Sequence, residues 1–130
     1  MGLVNRYLSL FRALVAIQRS RLLLQQPEVH LHPRAQAALG TLFARFVAAG
    51  DKEFVVETHS DSLVNRIRLE VAAGRLSADA VSILFLTKSR GRTKVHRLGL
   101  DKHGNVVDAP PAYRQFFVDE EIMLLSRANG

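Results

Sequence analysis

Polar side chains crowd two short stretches of this sequence, and an apolar run precedes each of them. The first stretch is LLLQQPEVHLHP at residues 22–33, and the second is FVVETHSD at residues 54–61. Each pattern predicts a buried strand that ends in a polar loop and then enters a helix. In open α/β sheets, ligands bind at the carboxyl ends of parallel strands, so these loops are the candidate site. The polar residues at the two strand ends are Gln25, Gln26, Glu28, His30 and His32, and Glu57, Thr58, His59 and Asp61.

Histidines and carboxylates at this spacing could bind a divalent metal ion. His30 and His32 alternate in the first loop, and the second loop adds two acids and a histidine. These are ligand types that zinc and manganese accept. A bound ion could activate water, so a metal-dependent hydrolase that uses the His-x-His loop is one open hypothesis. The alternative is that these side chains only cap loops and hydrogen-bond between strands.

The surrounding pattern predicts the elements that position these loops. Apolar residues recur at three- and four-residue spacing in the first helix, and Pro33 and Ser60 or Asp61 begin the next two. Gly50 and Gly74 end them. Three helices are thus predicted at residues 3–18, 33–49 and 61–74.

The second part of the chain changes character. Residues 81–86 and 95–100 flank the polar tip 88–92 and predict a β-hairpin, and a turn built on Gly104 follows. A last helix is predicted at residues 118–127. The predicted fold class is α/β: a small parallel sheet with flanking helices, followed by an antiparallel hairpin and a C-terminal helix.

Composition narrows the classes of protein. The 130 residues are 48% hydrophobic and 23% charged, which is typical of one globular domain. No apolar run approaches the roughly 18 residues that a membrane span needs. Without cysteine the chain can form neither a disulfide nor a thiolate ligand. We therefore expect a cytoplasmic protein with no membrane partner.

The net charge of +6 is concentrated in two segments. Residues 1–27 contain four arginines and no acid, and residues 81–100 contain five cations and no acid. Such clusters could contact the phosphates of a nucleotide or of nucleic acid. A nucleic-acid-binding accessory protein is therefore a second hypothesis, and a solvated basic surface is its alternative.

Two short motifs occur in a specific order. His30-Leu31-His32-Pro33 follows the first apolar strand, and Thr58-His59-Ser60-Asp61 follows the second. In this order and context they resemble the loop after Walker B and the switch-histidine loop of ABC-type ATPase heads, of the OLD and SMC-like kind. The resemblance assigns residues 1–100 to a partial ATPase domain, half of such a head. It assigns residues 101–130 to the small C-terminal extension of one bacterial subgroup.

The resemblance also implies roles for individual residues. As catalytic groups, Gln26 would orient the attacking water and His59 would contact the γ-phosphate. Gln25 occupies the Walker B position, where the family has an acid. The cofactor-binding groups that the resemblance implies are Gln25, Glu28, His30 and Asn5. Asn5 belongs to a degenerate signature loop. The resemblance implies no separate metal site.

The family's other parts are altered. No G-x-x-x-x-G-K-[ST] motif occurs in these residues, so the loop that cradles the phosphates is absent. Magnesium prefers anionic oxygen, which Gln25 and Gln26 do not supply. We therefore expect a truncated or degenerate ATPase that uses ATP and magnesium only if a partner supplies the phosphate loop. Its partner would be a second copy or another ATPase subunit, and its context bacterial phage defence or DNA repair.

Overall fold

The computed structural model describes residues 2–16 and 18–113 of the chain. In this part, three helices alternate with the first two strands, a short 3-10 helix follows at Ala78–Ala80, and three consecutive strands come after it. The helices are α1 (Gly2–Val15), α2 (Pro33–Ala48) and α3 (Asp61–Ala72). The strands are β1 (Ser20–Gln25), β2 (Lys52–Glu57), β3 (Ile83–Ser89), β4 (Arg92–Leu100) and β5 (Val106–Val107).

The first sheet is the predicted parallel pair. Strands β1 and β2 pair in parallel, with Leu22 opposite Phe54 and Gln25 opposite Glu57. Parallel strands need a crossover between them, and α2 provides it. Because side chains alternate along a strand, Leu22, Leu24, Phe54 and Val56 share the half-buried face. The opposite face is exposed along both strands.

The amino-terminal ends of these strands are joined by a buried lysine. Lys52 is 6% exposed, and its Nζ donates hydrogen bonds to the carbonyl oxygens of Ala16 and Gln18 and to Ser20 Oγ, at 2.7–2.9 Å. A buried ammonium is tolerated only when its donors are satisfied. Here all three donors are used, and they fix the connection between α1 and β1 against β2.

The core lies between the helices and both sheets. One cluster joins Leu39, Phe43 and Leu63 of α2 and α3 to the inner face of the parallel sheet. Its ring contact between Phe43 and Phe54 has a centroid distance of 4.6 Å. The other cluster joins the same two helices to the second sheet through Ala44, Val71, Leu76 and Leu100. The helix pair α2–α3 therefore carries both sheets.

The second sheet is antiparallel and consists of β3, β4 and β5. Strands β3 and β4 pair up to Ser89 and Arg92, so the turn holds only Arg90 and Gly91. The predicted polar tip at residues 88–92 was too wide, because three of its five residues belong to the strands. Strand β5 was not predicted, since two residues are too few to show alternation.

The turn after β4 docks on α3. The Asp101 carboxylate accepts hydrogen bonds from the backbone amides of His103 and Asn105, and Arg68 Nε donates to the Gly104 carbonyl at 2.8 Å. Gly104 has φ +74°, and a Cβ there would overlap the Arg68 carbonyl oxygen. Only glycine combines this conformation with so close an approach.

The predicted fold class is confirmed, and so are the helix starts. Pro33 opens α2, and Ser60 Oγ accepts a hydrogen bond from the Leu63 amide to cap α3. The glycines that follow α2 and α3 have φ of +82° and +72°. The helix predicted at residues 118–127 lies outside the described residues. No helix of the described part is long and apolar enough to cross a membrane.

Candidate functional site

The two polar loops lie side by side, because the strands that precede them pair in register to their last residues. Gln25 and Glu57 are opposite one another, and the Gln26 amide donates to the Glu57 carbonyl oxygen at 2.7 Å. Both Gln25 and Glu57 are exposed on the outer face of the sheet. The carboxyl ends of the parallel strands therefore bring the two motifs together, as their order in the sequence predicted.

Glu28 connects the two loops through its buried carboxylate. The residue is 5% exposed, and its Oε1 accepts hydrogen bonds from Thr58 Oγ1 at 2.6 Å and from the His59 backbone amide at 3.0 Å. Its Oε2 is buried and has no hydrogen-bond partner among the described residues. Hydrogen bonds to a charged acceptor are stronger than neutral ones, so Glu28 fixes the position of His59 relative to the first loop.

The first loop adopts a conformation that few residue types favour. Gln26 and His30 have φ of +44° and +71°, in the left-handed region. Such a conformation in a residue other than glycine costs about 1–3 kcal/mol and is concentrated at functional sites. The Tyr7 hydroxyl of α1 lies 3.3 Å from the Pro27 carbonyl oxygen and 3.2 Å from that of Val29, and can donate to either. Helix α1 therefore supports the strained loop from outside the sheet.

The second loop is held by a chain of side chains. The Thr58 hydroxyl that donates to Glu28 also accepts from the Ser60 amide at 3.0 Å. Ser60 Oγ donates to Gln36 Oε1 at 2.6 Å, and Gln36 Nε2 donates to the Leu31 carbonyl at 3.0 Å. The network thus returns to the first loop through α2. These hydrogen bonds hold the second loop against α2 and against the first loop.

The three histidines of the motifs are exposed. His32 is the N-cap of α2, where its Nδ1 accepts a hydrogen bond from the Arg34 amide at 3.3 Å. His59 is anchored through its backbone, which leaves the ring at the surface. The backbone of His30 itself is in the left-handed region, with φ +71°.

The His-x-His metal hypothesis finds no support in this geometry. Glu28 turns inward to Thr58 and His59, and the His32 Nδ1 accepts a backbone hydrogen bond. Among the residues that the structure describes, no three histidine, aspartate or glutamate side chains are grouped so that they could share an ion.

Gln26 is half-buried at the start of the first loop, beside Gln25. The backbone of Asn5 belongs to the first turns of α1, and its side chain is outside the described part. Sequence reasoning missed Tyr7 and Gln36, which support the two loops. A hydroxyl within the otherwise apolar pattern of α1 was the available signal for Tyr7.

A family comparison covers both loops. Residues 7–65 match the family model described as "AAA domain, putative AbiEii toxin, Type IV TA system". The matched segment runs from α1 into the first turns of α3 and includes the Glu28 network. No curated protein and no solved structure gives a significant match. Residues 7–65 are therefore similar to an AAA-type, ATPase-like domain.

Proposed function

We propose that this chain supplies the second half of an ABC/OLD-type ATPase site and works only when a phosphate-binding loop comes from elsewhere. The observation that carries the proposal is the Glu28 link between the Walker B-like and switch-histidine-like loops. It holds the His59 backbone at a fixed place beside the end of β1. Gln26 and His59 would then act together on one nucleotide, as orienting group for water and as contact to the γ-phosphate.

The carboxyl ends of the two parallel strands carry one exposed carboxylate, which lies on β2 rather than at the Walker B-like position of β1. Gln25 is neutral, but its register partner Glu57 is exposed on the same face of the sheet. Magnesium that accompanies ATP supplies positive charge against the phosphates and takes oxygen ligands. The Gln25 amide oxygen and the Glu57 carboxylate would be its ligands from this chain. Glu28 and His30 would then shape the loop around the nucleotide.

The partner would cover the outer face of the parallel sheet. Leu23 is 75% exposed and Val55 53% exposed at the middle of that face, in line with Gln25 and Glu57. A groove of about 290 Å³ lies between α1 and β1, and α1 also exposes Phe11. A phosphate loop must approach Gln25 and Glu57, so the protein that carries it would lie over this apolar face. That protein is an ATPase subunit or a second copy.

An assay of phosphate release tests the proposal. The isolated chain should release no phosphate from ATP above background, and Gln25→Glu should not restore turnover. A strand-end acid cannot hold the γ-phosphate in line with water, which is the task of the phosphate loop. Magnesium-dependent turnover by the isolated chain, abolished by His59→Ala, would contradict the need for a partner.

Light scattering tests the partner surface. The chain should self-associate at high concentration or bind an ATPase subunit, and Leu23→Gln with Val55→Gln should weaken that association. Leu69→Gln is the matched control, since Leu69 is 58% exposed on α3, away from the sheet face. A monomer at every concentration that binds no ATPase subunit would count against the proposal.

The resemblance also supports a context in bacterial phage defence or DNA repair. Plaque counts on cells with and without the gene, together with the survival of those cells after DNA damage, test this. His59→Ala should remove any protection, whereas unchanged protection would separate the phenotype from the nucleotide site.

A further inference from the structure

The distal half of the β3–β4 hairpin carries positive charge, and its own sequence contains no acid. Residues 81–100 contain no aspartate or glutamate. Within the described part of the chain, none of their cations forms an ion pair, since the two pairs found are Arg21–Glu53 and Arg75–Glu70. The exposed cations of the hairpin are Lys88, Arg90, Arg92, Lys94 and Arg97.

The hairpin projects beyond the core as a narrow ribbon. Residues 92–95 are exposed one after another, although alternate residues of a strand point to opposite faces. Both faces of this part of the ribbon are therefore in contact with solvent. Burial resumes at Leu98 and Leu100, where β4 reaches the helices.

The tip has a defined shape. Only Arg90 and Gly91 lie between the strands, with φ of +49° and +75°. Two left-handed residues are the geometry that closes a two-residue hairpin with the natural twist of the strands. The cations at the tip are therefore presented by paired strands rather than by a loose loop.

The cations lie on both faces of the ribbon. Lys88 shares one face of the ribbon with Leu86 and with its register partner Thr93. Arg92 and Lys94 flank Thr93 in the sequence and therefore lie on the other face. A flat anionic surface would meet only one of these faces. A groove with phosphates on both sides would meet both of them.

We propose that the β3–β4 tip binds the phosphate backbone of duplex nucleic acid by entering its major groove. That groove is about 12 Å wide and admits a two-stranded β-ribbon. Lysine, arginine, serine and threonine are among the residues that contact phosphate oxygens. Every residue from 87 to 94 is of one of these four types, except Gly91. The proposal does not depend on the ATPase-like site, because the tip shares no residue with it.

The composition of the tip favours binding to a duplex over binding to a single strand. Single-stranded nucleic acid is held by aromatic side chains on which bases stack. Residues 86–95 contain no aromatic residue, and the nearby Phe85 packs edge-on against Tyr113 at a centroid distance of 5.1 Å. The tip also lacks asparagine, glutamine and acids, so adenine and cytosine edges have no typical partner. We therefore expect binding to phosphates without recognition of adenine or cytosine edges.

Fluorescence anisotropy with a mixed-sequence DNA duplex and the full chain tests the proposal. If the tip neutralises four phosphates, affinity should fall about 150-fold between 50 and 200 mM salt. Arg90→Gln with Arg92→Gln should reduce that fall to about 12-fold, the value for two phosphates. The control pair Arg19→Gln with Lys102→Gln removes the same two charges from exposed positions elsewhere and should keep the steeper dependence.

Four results would overturn the proposal. The first is the absence of duplex binding at 50 mM salt. The second is an equal reduction of the salt dependence in the tip double variant and in the control double variant, and the third is tighter binding to a single strand than to the duplex. The fourth is binding to phosphatidylserine vesicles in place of DNA. Circular dichroism of both variant pairs should match that of the parent chain, since all four side chains are exposed.

Discussion

Two glutamates are buried at opposite ends of the α2–α3 layer, and their hydrogen-bond partners differ in kind. Glu70, 3% exposed, receives both of its hydrogen bonds from the guanidinium of Arg75, at 2.6 and 3.1 Å. Glu28, 5% exposed, receives its hydrogen bonds from a hydroxyl and a backbone amide, and its Oε2 has no partner in the described part. One carboxylate is neutralised by a cation, and the other is not.

The sequence separation of the partners explains what each carboxylate does. Glu70 and Arg75 are five residues apart, so their bidentate pair closes the end of α3 on itself. Glu28 joins residues that are 30 and 31 positions away and belong to the loop after another strand. The first pair stabilises one element, whereas Glu28 couples two loops of the candidate site. The three predictions below test this contrast.

The largest effect is expected from Glu28→Ala. The Thr58 hydroxyl and the His59 amide would lose a charged acceptor inside the protein, and each hydrogen bond to a charged group contributes about 1.5–3 kcal/mol. We expect the free energy of unfolding to fall by about 3 kcal/mol in urea denaturation. The second loop should also become mobile, which faster hydrogen exchange at the His59 amide would show.

The matched control for this prediction is Glu53→Ala. Glu53 pairs with Arg21 at 2.9 Å on the exposed sheet face, where both side chains are more than half exposed. Exposed ion pairs contribute about 0–1 kcal/mol, so this substitution should cost much less. Equal losses in the two variants would show that Glu28 does not couple the loops.

The second prediction concerns the decline of Tm in acid, to which we expect the Glu70–Arg75 pair to contribute. Hydrogen bonding to Arg75 lowers the pKa of Glu70 below its ordinary value of 4.5, although burial acts in the opposite direction. A depressed folded-state pKa contributes stability that is complete above pH 4.5 and is lost as pH falls through the folded-state pKa. Glu70→Gln should therefore flatten the decline of Tm below pH 4.5.

The control for acid stability is Asp101→Asn. The backbone amide of Asn105 and, to a smaller extent, its side chain lower the pKa of the Asp101 carboxyl by hydrogen bonding. The Asp101→Asn variant should therefore also show a smaller decline of Tm in acid, independently of Glu70. The two substitutions should act additively, because the groups share no partner in the described structure. An unchanged acid profile in Glu70→Gln would show that the Arg75 pair does not stabilise α3.

The smallest effect is expected from Glu28→Gln. The amide oxygen can still accept from Thr58 and His59, and the new NH2 group replaces the oxygen that has no partner. We expect a loss of about 1 kcal/mol or less in urea denaturation and near-normal exchange at the His59 amide. A loss as large as that of Glu28→Ala would mean that the negative charge, rather than the acceptor geometry, holds the loops together.

The strand–loop–helix order was predictable because its signals are local. Apolar runs before Gln25 and Glu57, a proline that opens α2 and a serine that caps α3 each act within a few residues. The hairpin was recognised for the same reason. Its turn was placed too broadly because polar side chains fit exposed strand ends as well as loops.

The adjacency of the two motifs could be predicted in outline, since consecutive parallel strands often pair. The inward turn of Glu28 could not, because it depends on a hydrogen bond to a loop 30 residues away. The role of Tyr7 in supporting the first loop depends in the same way on the packing of α1.

The sequence by itself thus determined the types and order of the elements from α1 to β4, the caps, the basic hairpin and the residue types at the candidate site. Only the tertiary structure decided that Gln25 faces Glu57 and that Glu28 connects Thr58 and His59. It also decided that an apolar sheet face stays exposed. The physical reason is that periodicity and caps act between near neighbours, whereas strand register and buried hydrogen bonds form between residues that only packing brings together.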